Sequence, residues 1–278
     1  MFSGPLGGHT VAAVELNAVE GERQRVIVLG ASNVSRGLAR LAATVRVRST
    51  APCDLFVAAG HGRAYGVNSR VWMRRLPSIL GCGLWQSLAV ESRAATRPPV
   101  AVVTDVGNKL LYGLGVAQVA AALRESVRRL ADHGAAITIT GLPLASIATV
   151  GPARYRALRT LFVPGCQLPL ATLKDASAWL DDELRALADD VGAAFIEQPG
   201  EWYGFDAIHV RRRELDTLWG QVADAWNWPT APRPARATAI EWAAIGSRAA
   251  EVRSLARIML HTPQPAWRSG DGLRLWLY

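Results

Sequence analysis

Ser32, Asp206 and His209 are the residues of this chain whose types and placement could do covalent chemistry. Ser32 follows the apolar run Val26–Gly30 and opens the segment Asn33–Arg46, while Asp206 and His209 share the stretch GFDAIHV. A serine hydroxyl is a poor nucleophile until an imidazole takes its proton, and the imidazole works best when a carboxylate fixes its tautomer and supports the imidazolium. Attack on a carbonyl also needs preorganised donors aimed at the developing oxyanion. Backbone N–H groups of the glycine-rich HGRAYG and the Asn108 amide in TDVGNKLLYG are available for that.

Positioning these groups requires elements that end near one another. Arg25–Gly30 reads as a buried strand, Val34–Val47 as a helix with one apolar face, and Asp54–Ala59 as a second strand running into the loop Gly60–Gly66. Val71–Leu88 reads as a helix broken by Pro77 and by Gly81–Gly83. Val100–Asp105 is strand three, Val116–His133 a long amphipathic helix, and Ala136–Gly141 strand four. Pro143–Val163 is a loop with a short helix at Ala153–Leu161. Lys174–Val191 is helix, Ala193–Glu197 strand five, and Arg211–Trp226 a closing helix. Alternation of this kind, with continuously apolar strands, predicts an α/β fold whose parallel sheet is covered by helices on both faces. Right-handed crossovers then gather the strand C-terminal ends, with Ser32, Gly62 and Asn108, on one edge.

The blocks that carry this chemistry, GASN at Gly30–Asn33, GHG within Ala59–Arg63, VGN at Val106–Asn108 and DAIH at Asp206–His209, resemble in order those of the SGNH hydrolases, the GDSL-like esterases and lipases. The resemblance spans roughly Arg25 to Trp226. It implies Ser32 as nucleophile, His209 as base, Asp206 as orienting carboxylate, and the Ser32 N–H, Gly62 N–H and Asn108 amide as oxyanion donors. It also implies a flavodoxin-like three-layer α/β/α sandwich with a five-stranded parallel sheet, and a serine esterase working through an acyl-enzyme without cofactor or metal. Counting from the preceding strand favours Gly62 among Gly60, Gly62 and Gly66. Asn33, His61, Trp202 and Tyr203 are candidates for lining the pocket of a small-molecule ester, such as an acetylated sugar, a lipid or a thioester. Ala31 and Lys109 stand where the family usually has aspartates, which keeps open a second reading: a catalytically silent relative that binds a ligand or partner.

Each residue also has a structural reading. Ser32 could cap the following helix, His61 and His209 could be surface histidines, Asp206 and Asn108 could serve turns, and Trp202 and Tyr203 could be core. No GxGxxG or GK[ST] motif supports a nucleotide site, and GASNV lacks the trailing glycine of a nucleophile elbow.

Composition fits a globular enzyme, with 50% hydrophobic residues in 278. The net charge is +8, yet all but two of the 31 basic residues are arginines scattered among alanines, a compositional bias rather than a nucleic-acid surface. Cys53, Cys82 and Cys166 are widely spaced without a CxxC pair, which suggests neither disulfides nor zinc and fits the cytoplasm. No secretory signal pattern opens the sequence, and no apolar run reaches the ~20 residues of a membrane span. Three segments are expected: an extension over 1–24, the catalytic domain over 25–226, and a tail over 227–278. The tail begins with the proline-rich linker Asn227–Arg236 and continues as a basic amphipathic helix over Thr238–Leu260, a helical appendage that could touch a membrane surface, bind a partner or pack on its own domain.

Overall fold

A computed structural model describes residues 22–71, 73–91, 97–163, 165–230 and 235–278. The expected extension over 1–24 therefore lies largely outside the described residues, as does 231–234 of the linker.

In chain order the elements are β1 (Gln24–Leu29), α1 (Ser32–Arg48), β2 (Cys53–Ala58), β3 (Ser69–Val71), β4 (Arg74–Leu76), α2 (Leu84–Glu91), β5 (Val100–Val103), α3 (Val116–Asp132), β6 (Ala136–Thr140), α4 (Leu144–Ala148), α5 (Pro152–Phe162), α6 (Leu170–Val191), β7 (Ala194–Ile196), α7 (Leu215–Ala225), α8 (Ala239–Gly246), β8 (Val252–Leu255), β9 (Ile258–His261), β10 (Trp267–Arg268) and β11 (Arg274–Leu277). The large sheet runs β10-β11-β2-β1-β5-β6-β7, and all its pairings are parallel except β10 with β11.

The central strands β1, β2 and β5 are buried at every position, and their apolar runs 26–29, 55–58 and 100–103 follow from helices covering both faces. Alternate residues point to opposite layers: Val26, Val28, Leu55 and Val57 pack with α1 and α7, while Ile27, Leu29, Phe56 and Ala58 pack with α2, α3 and α6. Helix α3 shows why it docks there, since Val119, Leu123, Val127 and Leu130 recur at helical spacing and are buried.

Three expectations are corrected. The large sheet has seven strands rather than five, because residues after 227 add β10 and β11 beside β2. Leu275 and Leu277 enter the core, and Asp54 of β2 is held by Arg274 at 2.7 and 2.6 Å and by Arg23 at 2.8 Å. The amphipathic helix expected over Thr238–Leu260 ends at Gly246; the rest is the hairpin β8–β9. Its two-residue turn is Ala256 and Arg257, both left-handed at φ 48° and 71°. Finally, β3 and β4 occupy the start of the segment read as a broken helix, because β8 offers β4 a partner from far along the chain, building a separate sheet β3-β4-β8-β9. Helix α8 opens with a capping box between Thr238 and Glu241, and Glu241 also pairs with Arg46 of α1.

Candidate active site

The turn from β1 into α1 needs glycine at position 30, where a Cβ would lie 2.4 Å from Val34 Cγ2. Ser32 then opens α1 at 5% exposure, but its hydroxyl does not cap the helix: Ala31 occupies the cap position and no side-chain cap bond forms. The free N–H groups of the first turn are met instead from the neighbouring strand. Asp105 Oδ2 accepts from the N–H groups of Ala31 and Asn33 at 2.9 Å and of Val34 at 3.3 Å, and its Oδ1 accepts from Asn33 Nδ2 at 2.7 Å. Asp105 reaches this position by taking a left-handed backbone, φ 59° and ψ 33°, which Asp tolerates better than most residues. A carboxylate thus steadies the Ser32 turn although Ala31 supplies none.

Asp206 and His209 lie on the loop between β7 and α7. The Asp206 carboxylate is hydrogen-bonded to His209 Nδ1 and accepts the Ile208 N–H at 3.1 Å. Burial alone would raise the Asp206 pKa, but the His209 contact and the backbone N–H groups of Ile208 and His209 outweigh it and hold the carboxyl below its ordinary range. Asn33 joins this loop to the Ser32 turn: its Oδ1 accepts the Val210 N–H at 3.0 Å and its Nδ2 donates to the Ile208 carbonyl at 3.3 Å.

Ser32, Gly62, Asn108, Asp206 and His209 line one cavity of ≈ 390 Å³. Gly62 is left-handed at φ +66°, and a Cβ there would stand 2.7 Å from Val71 Cγ2; Gly60 and Gly66 line other cavities. Asn108 sits in the 3-10 turn Val106–Tyr112 directly after β5. His61 shares the cavity, and burial together with Arg74, His209 and Arg36 lowers its pKa, which keeps it neutral at neutral pH. Lys109 is turned away: it is buried, its ammonium lies 4.2 Å from the centre of the Tyr112 ring, and it lines a different cavity. Its charge is therefore outside the cleft.

Trp202 is packed into the core and lines none of the cavities described. Tyr203 and Asn33 border a second, enclosed cavity of ≈ 90 Å³, walled chiefly by Leu142, Ile147, Val150, Leu158, Leu170 and Leu173, which meets the first cavity at Asn108, Asp206 and Ile208. The sequence reading missed Asp105 and Arg36. The signal for Asp105 was present, a short polar residue immediately after a buried strand and beside the VGN block; Arg36 falls one helical turn after Ser32 and so on the same side of α1.

No family model matches the chain, and no curated protein matches it in sequence. Among solved structures it is similar to the psychrotrophic esterase EstA from Pseudoalteromonas sp., inhibited by monoethylphosphonate, at 12% identity and TM-score 0.44 over 73% of this chain and 96% of that one. It is also similar to TesA, at 16% identity and TM-score 0.43 over 73% and 97% of the two chains. A variant of the esterase AlinE4 is similar at 16% identity and TM-score 0.38 over 73% and 95%.

Proposed function

We propose that this chain is a serine ester hydrolase of SGNH type. The observation that carries the reading is the convergence on one cavity of Ser32, the hydrogen-bonded pair Asp206–His209, Gly62 and Asn108. Asp206 holds Nδ1 of His209, which leaves Nε2 to take the Ser32 proton as Oγ attacks the ester carbonyl. The oxyanion is met by the Ser32 and Gly62 N–H groups and the Asn108 amide. The alcohol leaves with the proton from His209, giving an acyl-enzyme; water, deprotonated by the same imidazole, releases the acid and restores Ser32.

The ≈ 90 Å³ apolar cavity beside Asn108 supports a short acyl group. An acyl chain of a few carbons suits that volume. A cytoplasmic setting is in keeping with Cys53, Cys82 and Cys166, all free and buried. Among the described residues no helix is long and apolar enough to cross a membrane. The test is labelling with a fluorophosphonate and mapping of the modified peptide. Modification at Ser32 that is lost in His209→Ala is expected; labelling elsewhere, or an inert protein, would overturn the reading in favour of a silent binding protein.

A further inference from the structure

On the far side of His61 from Ser32, a cavity of ≈ 420 Å³ opens between α1, the loop after β2 and the small sheet. His61 lines both cavities, so a substrate reaching past it from Ser32 enters this second space. Arg74, Arg248 and Arg253 line it, and among the described residues no acidic side chain does.

Strand pairing puts the charges there. In the antiparallel pair β4–β8, Arg74 lies opposite Leu255 and Arg75 opposite Ser254. Alternate residues share a face, so Arg74, Leu76, Arg253 and Leu255 present one surface, and all four line the cavity. Two guanidinium groups on adjacent strands of one face repel unless something stands between them. Among the described residues no acidic side chain lines the space they share. Arg253 Nη1 is buried without a hydrogen-bond partner, and so is Nη1 of Arg36, which lines the neighbouring Ser32 cavity. Arg74 Nη2 reaches the His61 carbonyl at 3.5 Å, a long contact. The main-chain end of Tyr278, also at this cavity, is held by the buried Arg63. Burial and the charge of Arg253 both lower the Arg74 pKa.

Resting on the hydrolase reading above, we infer that this cavity binds a phosphate group carried on the alcohol side of the ester. The acyl side is accounted for by the apolar cavity at Asn108, which leaves the basic cavity to the leaving group. Guanidinium forks match phosphate oxygens in pairs, and several of them around one space balance a dianion better than a single carboxylate. The phosphate can belong to a soluble phosphoalcohol or to a lipid headgroup.

The site is tested with the full chain carrying Ser32→Ala, titrated with glycerol phosphate, glycerate and glycerol. Glycerol phosphate is expected to bind best. Arg253→Gln and Arg74→Gln should each weaken it about tenfold or more, since each removes a charge-assisted pair. Arg268→Gln, outside the cavity, should change it little. Should the sheet variants fail to fold, the exposed Arg248→Gln serves in their place. Glycerate binding as tightly as glycerol phosphate, or phosphate binding indifferent to all three arginines, would overturn the inference. Phosphatidate vesicles form a parallel arm: binding that requires the vesicle assigns a lipid headgroup, and binding of the soluble compound assigns a soluble phosphoester. With Ser32 intact, kcat/KM for monobutyrylglycerol phosphate should exceed that for monobutyrylglycerol, and the ratio should fall in Arg253→Gln. An active esterase without that ratio sinks the phosphate site alone. Phosphate binding by a chain that hydrolyses no ester sinks the hydrolase reading and leaves the phosphate site standing.

Discussion

Asp105 grips Asn33 at two points: one carboxylate oxygen takes the Asn33 backbone N–H at 2.9 Å and the other its side-chain amide at 2.7 Å. Asn33 in turn holds the backbone of Ile208 and Val210, on either side of His209. A single chain of hydrogen bonds therefore runs from Asp105, just after strand β5, through the residue after Ser32, to the Asp206–His209 loop. The relative placement of the proposed nucleophile and base is set by backbone contacts of Asp105 and Asn33.

Asp105→Asn should loosen that placement. An amide presents an N–H to donors that need an acceptor, and hydrogen bonds to a charged group are lost, so unfolding free energy should drop by about 3 kcal/mol. Misalignment of the reacting groups should lower kcat by about 10–100-fold. Denaturant unfolding and steady-state kinetics on the same preparation read both effects. A variant with full stability and full turnover would remove Asp105 from this role.

Asn108→Ala should lower kcat by about 10²–10³ with little change in KM, because an oxyanion donor strengthens only in the transition state. A loss confined to KM in p-nitrophenyl acetate hydrolysis would show that Asn108 binds substrate instead.

Asp206 gives a pH signature. Its carboxyl lies below its ordinary value, so its contribution to stability is complete above the unfolded value of about 3.9 and disappears as pH falls through the lower folded value. The difference in thermal midpoint between the native chain and Asp206→Asn should be constant near neutrality and shrink on the acid side. The effect is modest, since the Asp206 side chain is 30% exposed. A difference that grows with acid would contradict the assignment.

Acyl length should be set by the enclosed cavity. Ile147→Phe places extra volume in it, and kcat/KM for a butyrate ester should fall about tenfold or more relative to the acetate. Equal losses for both esters would mean that the acyl group lies elsewhere.

Leu275→Ala should cost about 2–5 kcal/mol, as for other fully buried leucines, because Leu275 is 0% exposed beside Leu55 of β2. A chain ending near Pro229 should give no cooperative unfolding transition, since it uncovers β2 and the apolar residues beneath β11. A stable, active truncation would show that the central sheet folds without its added strands.

The parts of this arrangement that were legible in the sequence are local ones. Ser32, Gly62 and Asn108 each follow a short apolar strand, Asp206 and His209 stand together, and the alternation of strands and helices from β1 to α7 predicts the parallel sheet with helices on both faces, though not its strand order. What escaped depends on partners far away in the chain. Residues 252–255 have helical spacing of apolar groups and become a strand because β4 and β9 flank them. Their hairpin turn uses Ala256 and Arg257 where the recognisable signal would be Asn-Gly. In the sequence Asp105 reads only as the end of strand three, because its role is visible only once β5 lies beside β1. The basic cavity is the same case, for Arg74 and Arg253 meet across two strands that sequence alone does not pair.

The pairing of β11 with β2 also shapes how the chain reaches its native state. Arg274 and Asp54 are 220 residues apart and become neighbours in the large sheet. During synthesis β2 emerges early and keeps an open apolar edge until residues 274–277 have left the ribosome. The contact order of the sheet is raised by that one strand, and folding is slowed accordingly. The interval before β11 docks is the period in which the chain is most exposed to aggregation and to the chaperones that prevent it.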